Sequence, residues 1–345
     1  MDDVPAGRGK PTLEEFHAAM KQASVAALWE THAALAANPR PRDKPLHWRW
    51  RDLQPLIDMA TRIVTAEEAD RRVLTLQNPA HERASAPRSI APNLTGALQI
   101  LLPGETAPPH RHTPGALRFV LEGTGVKTIV DGKVCPMEEG DMILTPGWSW
   151  HEHVHEGSGR MVWFDGLDAP LHAHLTSGVF EPGPAHDVPP LEPDEAYRAA
   201  GLLPDGATGS RSYSPVFRYS WGAAREALSA APLARDGTRR LRYVNPETAG
   251  PAMNYIDCFL VSLPHGTATR PARSSADAVC VVAQGSGTST VGDLTVSWER
   301  NDIFTMPRNS WALHTAATKD AVLFMMTDRD LMARLGMLHD EIKDA

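Results

Sequence analysis

LLPGETAPPHRHTPGALRFVLEGTG, residues Leu101–Gly125, and TPGWSWHEH, residues Thr145–His153, decide the fold. In an extended strand alternate residues face the same side. His110 and His112 therefore point one way with Arg111 opposite, and His151 and His153 do the same about Glu152. If the two strands lie side by side in a small barrel, His110, His112 and His151 converge on one point inside it. Imidazole nitrogens suit Fe(II), Mn, Zn, Cu and Ni, so this set predicts a transition-metal site without choosing the metal.

Outward from these stretches, strands follow one another at short intervals between Gly96 and Leu171: ALQILL, ALRFVLEG, GVKTIV, MILTPG and RMVWFDG. Asp131-Gly132 reads as a type I′ hairpin turn between two of them. This is the pattern of an antiparallel all-β barrel or jelly roll. The pattern then repeats. Leu263–Thr269 echoes Leu102–Ala107, Cys280–Gly287 echoes Phe119–Gly125, and Asn301–Pro307 echoes Gly140–Pro146, at a spacing of 161 to 162 residues. Such regularity predicts two copies of one barrel. Aligned on the shared glycines and prolines, His110 becomes Ala272, His112 becomes Ser274 and His151 becomes Ala312. The second copy keeps the frame and loses the ligands.

The remaining segments divide the chain into a helical arm (1–69), a metal-binding barrel (70–175), a connection (176–238) and a barrel without metal ligands (239–345). Thr12 and Glu15 form a capping box that predicts a helix to about Leu35. Trp48 and Trp50 are expected on one face of an extended piece, and a second helix over Pro55–Ala66. Arg71–Asn78 alternates as a strand. The Pro- and acid-rich connection carries one expected helix at Trp221–Ala231, and the tail from Asp328 is expected to be helical.

Composition narrows the function classes. Length suits two domains. A net charge of −8 with no basic block argues against a nucleic-acid partner. No apolar run is long enough to span a bilayer, and the acidic start is no secretory signal. Three scattered cysteines without CxxC spacing point to a reduced, cytoplasmic setting.

The two motifs resemble the cupin superfamily, and the likeness goes further. HRHTPGALRFVLEGTG, LTPGWSWHEH, VWFDGLD and LRYVNPETAG look like the gentisate 1,2-dioxygenase family, which includes salicylate and 1-hydroxy-2-naphthoate ring-cleaving enzymes. The resemblance implies a bicupin (two jelly-roll barrels), one Fe(II) in the N-terminal barrel and a homotetramer. It also implies cleavage of an aromatic acid between its carboxyl-bearing and hydroxyl-bearing ring carbons by O2. By position it carries over His110, His112 and His151 as ligands, and Arg118 as the carboxylate-binding arginine. His153 becomes a proton acceptor near the substrate hydroxyl and Asp165 a supporting acid. Arg71, Gln99, Thr75, Gly115 and Trp148 fall among the substrate-binding positions. Most cupins add a glutamate ligand four or five residues after the HxH, where this chain has Ala116 and Leu117. Pro114-Gly115 and Thr75 also depart from common family residues, which implies a pocket that admits a bulkier substrate such as a 5-substituted salicylate.

Two other readings stand beside this one. A cupin isomerase, decarboxylase or diketone-cleaving enzyme with a different metal would usually keep the glutamate. A non-catalytic bicupin would be expected to lose ligands from both barrels, not from one.

Overall fold

The computed structural model describes residues 12–30, 43–81, 89–199, 201–207, 209 and 211–343. Residues 1–40 and 41–345 form two separate units. In the first, helix α1 (Leu13–Gln22) begins on the capping box: Glu15 N–H donates to the Thr12 hydroxyl at 3.2 Å, and Thr12 N–H to the Glu15 carboxylate at 2.8 Å. It stops well short of Leu35, because Ser24 turns to positive φ and only a 3-10 turn, Leu28–Glu30, follows. Residues 31–35 lie outside the described residues.

The second unit is all-β with short helices. It opens with strand β1 (His47–Trp48), then α2 (Trp50–Ile63) and α3 (Ala66–Ala69). Trp48 and Trp50 thus do not share one extended face; the backbone turns between them and Trp50 starts a helix. The first barrel uses β2 (Val73–Leu76), β3 (Thr95–Leu101), β4 (Thr106–His112), β5 (Ala116–Glu122), β6 (Val126–Val130), β7 (Lys133–Pro136), β8 (Met142–Thr145), β9 (His151–His155) and β10 (Met161–Leu167). After α4 (Ala169–His174), the connection adds β11 (Phe180–Pro182), β12 (Arg218–Tyr219) and α5 (Trp221–Ala230).

The second barrel comprises β13 (Arg239–Arg242), β14 (Asp257–Ser262), β15 (Ala272–Ser274), β16 (Ala278–Gln284), β17 (Gly287–Val291), β18 (Leu294–Trp298), β19 (Ile303–Met306), β20 (Ala312–Ala316) and β21 (Val322–Thr327). The tail is not one helix: α6 (Arg329–Arg334) is short, and the chain ends in β22 (Asp340–Ile342), an edge strand beside β15.

Each barrel is two antiparallel sheets in the same order. The first has β12-β8-β5-β10-β3-β2 facing β11-β4-β9-β6-β7; the second has β1-β19-β16-β21-β14-β13 facing β18-β17-β20-β15-β22. The correspondence extends to the edges. Asp141 accepts the Trp221 N–H that begins α5, at 2.9 Å, and pairs with Arg218 on β12. Asp302 likewise accepts the Trp50 N–H that begins α2, at 2.7 Å, and meets His47 on β1. The segment before the first barrel therefore closes the second one, and the connection closes the first.

The two barrels pack through an apolar seam. Phe119 stacks on Phe324 with centroids 4.3 Å apart. Beside it, a Cβ on Gly166 would press on Met326 Sδ, so any larger residue there requires the methionine side chain to shift.

Candidate active site

β4 and β9 hold the histidines. His110 and His151 are direct cross-strand partners, and His112 follows two residues along β4. Their ligand nitrogens all lie within 4.8 Å of one another. Each Nδ1 is tied to a backbone carbonyl two residues away: His110 to Pro108 at 2.8 Å, His112 to Pro114 at 2.7 Å and His151 to Ser149 at 3.0 Å. A carbonyl only accepts, so Nδ1 carries the proton and Nε2 keeps its lone pair in all three rings. Burial above all pushes His110 down to about 3 and His112 to about 4, and holds His151 well below its usual value. The rings are therefore neutral near pH 7, as ligands must be.

His151 Nε2 is buried without a partner. Such an orphan costs stability unless something binds it, and three converging imidazole lone pairs are what a borderline metal requires. The residues present fit a metal ion. His110 Nε2 instead accepts from Arg71 Nη1, whose guanidinium also meets Asp70 at 3.0 Å and stands 5.3 Å from the Phe180 ring centroid. Phe180, on β11, lies almost parallel over His110 with centroids 5.4 Å apart.

The opposite sheet supplies a second set of polar groups. Arg118 on β5 faces Asp165 on β10, Nε to Oδ1 at 3.4 Å, and its Nη1 donates to Thr145. Burial lowers the Arg118 pKa and raises Asp165 to about 6; each is the other's chief counter-charge, and for both the loss of water outweighs the pairing. Trp163 Nε1–H donates to Asp165 Oδ1 at 3.0 Å.

His153 lies fully buried beside Trp163, ring centroids 5.2 Å apart. The Thr128 hydroxyl contacts Met137 Sδ at 3.0 Å and His153 Nδ1 at 2.9 Å. In the tautomer where His153 Nδ1–H donates to the Thr128 oxygen, the lone pair is left on Nε2. That Nε2 is also buried without a partner, as are Gln99 Nε2 and Arg118 Nε. Burial, with Arg118 next, keeps His153 well below its ordinary pKa.

Among the other sequence-selected positions, Trp148 meets the cluster through its backbone, its N–H donating to the His112 carbonyl at 2.7 Å. Thr75 is half-buried on β2, opposite Ala97. Gly115 donates its N–H to Asp168 at 2.8 Å, and the room left by its missing side chain is taken by Met253, whose methyl would lie 2.7 Å from a Cβ. Trp148 is 40 % exposed, at positive φ, with the Arg111 guanidinium over its ring at 4.5 Å. Sequence reasoning missed Thr128, Thr145 and Phe180. The first two sit in strands whose inward phase was readable; Phe180 comes from the connection and carried no signal.

Residues 97–167 match the cupin domain model. The chain is 35% identical to gentisate 1,2-dioxygenase 1 of Aquipseudomonas alcaligenes over 333 residues, 94% of each chain. The chain belongs to the gentisate 1,2-dioxygenase family. It is also 34% identical to a 5-aminosalicylate 1,2-dioxygenase of Comamonas sp, covering 95% of this chain and 90% of that one. A salicylate 1,2-dioxygenase of Pseudoaminobacter salicylatoxidans, solved as adducts with gentisate, superposes with a TM-score of 0.89 at 29% identity, covering 99% of this chain and 96% of that one. Membership makes the chain a bicupin and a ring-cleaving dioxygenase, and its three-histidine cluster has the donor set to hold a metal ion. Among the described residues no helix is long and apolar enough to cross a membrane.

Proposed function

We propose that this dioxygenase uses Fe(II), held by His110, His112 and His151, to open a hydroxylated aromatic acid between its carboxyl-bearing and hydroxyl-bearing carbons. Gentisate or a 5-substituted salicylate is the substrate. The observation that carries this reading is the set of three Nδ1-tethered histidines sharing one barrel interior with a buried arginine. Bound iron would supply the one-electron chemistry that lets O2 react with the ring.

This chain's own residues bind and orient. The Arg118 fork takes the substrate carboxylate, and Asp165 and Thr145 hold that fork in place. His153 Nε2 accepts the proton of the ring hydroxyl, and Thr128 sets its tautomer. Gln99 offers its unpaired amide to the substrate. His110 Nε2 has a single lone pair, so metal binding there releases Arg71, which then serves as a second carboxylate donor at the barrel mouth. Trp148 borders that mouth, and Thr75 and Gly115 limit the ring substituent, Gly115 through Met253.

With Ala116 and Leu117 buried where a glutamate ligand would stand, the ligand face is neutral and favours an anionic substrate. We also propose a homotetramer. The three cysteines are all free and buried, which suits the cytoplasm.

Oxygen uptake by protein loaded anaerobically with Fe(II) tests the proposal across gentisate, salicylate, halo- and nitrosalicylates and 1-hydroxy-2-naphthoate. Uptake with at least one of these acids, dependent on iron, is expected. Equal activity with Zn or Mn, or no uptake with any acid, would overturn it.

A further inference from the structure

The second barrel has kept its shape and emptied its interior. Strand register identifies which residues correspond. Arg118 faces Asp165 in the first barrel, where Cys280 faces Met325 in the second. Gln99 faces Trp163, where Val261 faces Leu323. His110 faces His151, where Ala272 faces Ala312. At nearly every inward position a large polar or aromatic side chain has given way to a small or apolar one. The space they would fill remains as a cavity of about 310 Å³, bordered by these same residues.

A histidine–hydroxyl pair has survived. His153 faces Thr128 across β9 and β6, and His314 faces Ser289 across β20 and β17. The hydroxyl's other neighbour differs: Met137 Sδ beside Thr128, Trp298 Nε1–H beside Ser289. Trp298 Nε1–H donates to Ser289 Oγ at 2.8 Å, and that hydroxyl lies 2.7 Å from His314 Nδ1. With the serine donating to Nδ1, the ring proton sits on Nε2; His314 borders the cavity, and its Nε2 has no hydrogen bond among the described residues. Burial, with Arg240 next, lowers His314 to about 4, so the ring is neutral near pH 7.

The rim carries three paired arginines and a fourth, Arg270, without an ion pair among the described residues. Arg240 pairs with Asp236, Arg273 with Glu341 at 2.7 Å and Arg329 with Asp340 at 2.5 Å. An apolar cavity about half as large already binds benzene.

We propose that the second barrel is a separate binding site for a small uncharged aromatic molecule bearing one hydrogen-bond acceptor, which His314 Nε2–H engages while Val261, Cys280, Leu323 and Met325 enclose the ring. Those four side chains offer a carboxylate no counter-charge to offset its lost water, so the neutral molecule is favoured over an anion. It requires no metal.

Methyl resonances of methionine in the full-length protein read the site directly, because Met306 and Met325 border it. Acetophenone is the probe, with benzoate as its anionic counterpart and ethylbenzene as the analogue without an acceptor. Saturable shifts of the Met325 and Met306 signals by acetophenone are expected, with benzoate at least tenfold weaker. His314→Phe keeps the volume and removes the donor; it is expected to weaken acetophenone about tenfold and leave ethylbenzene unchanged. Ala312→Leu fills the cavity and is expected to abolish both. Should acetophenone move neither signal up to its solubility limit, or benzoate move them equally, the proposal falls; and if His314→Phe fails to fold, the wild-type comparison of the three probes still decides.

Discussion

Arg118 and Asp165 stand directly opposite each other on adjacent strands, both buried and 3.4 Å apart, with their charges only partly matched. Arg118 Nε makes no hydrogen bond, so the fork is held by its neighbours yet keeps donor capacity for a guest. Replacing Arg118 by Lys keeps the charge and loses the fork. KM for the aromatic acid is expected to rise about tenfold or more, with metal content unchanged, as measured by steady-state oxygen uptake and metal analysis. An unchanged KM would remove Arg118 from the carboxylate site.

His112 offers one of three ligand nitrogens. His112→Ala is expected to abolish stoichiometric iron binding while leaving the barrel folded, since it lies at the end of β4 and its tether runs only to Pro114. Metal analysis and circular dichroism check the two halves of this expectation.

Asp168 is raised to about 7 by burial, against the Gly115 N–H that lowers it. A carboxyl raised in the folded state binds its proton more tightly there than when unfolded. Its contribution is fully present below the unfolded pKa near 3.8 and is lost as pH rises through about 7. Wild type should therefore lose stability relative to Asp168→Asn between about pH 4 and 7, by at most about 4 kcal/mol. Denaturant titrations of both proteins at several pH values read this difference; a gap that widens the other way would place the titration elsewhere.

Gly166→Ala puts a methyl against Met326 Sδ at the seam between barrels. A loss of about 1–3 kcal/mol is expected from overpacking. Adding Met326→Ala makes room for the new methyl. The penalty of Gly166→Ala measured in the Met326→Ala background should then be smaller than in wild type; equal penalties would mean the two residues do not press on each other.

The register findings show how the two levels of information divide. HRH and HEH alternate as strands must, so the inward phase of four histidines was legible from backbone periodicity alone. The duplicated glycines and prolines marked the second barrel, because turns demand those residues wherever the fold repeats. Ala272 and Ala312, aligned from those markers with His110 and His151, are indeed paired as their counterparts are. The helix ends were misjudged at Leu35 and in the tail, where alanine and leucine favoured helix but the packing required a turn at Ser24 and an edge strand at Asp340–Ile342.

By itself the sequence determined the kind of strand, the duplication, and which copy retains imidazoles, because these follow from local spacing. Only the tertiary structure decided the contacts that depend on sheet closure. These are the carbonyls that set each histidine's tautomer, Phe180 over His110, Met253 in the space beside Gly115, and edge strands borrowed from segments outside each barrel. Such neighbours lie close in space but not in sequence, and no local period can encode a partner whose distance along the chain is set by how the barrel closes.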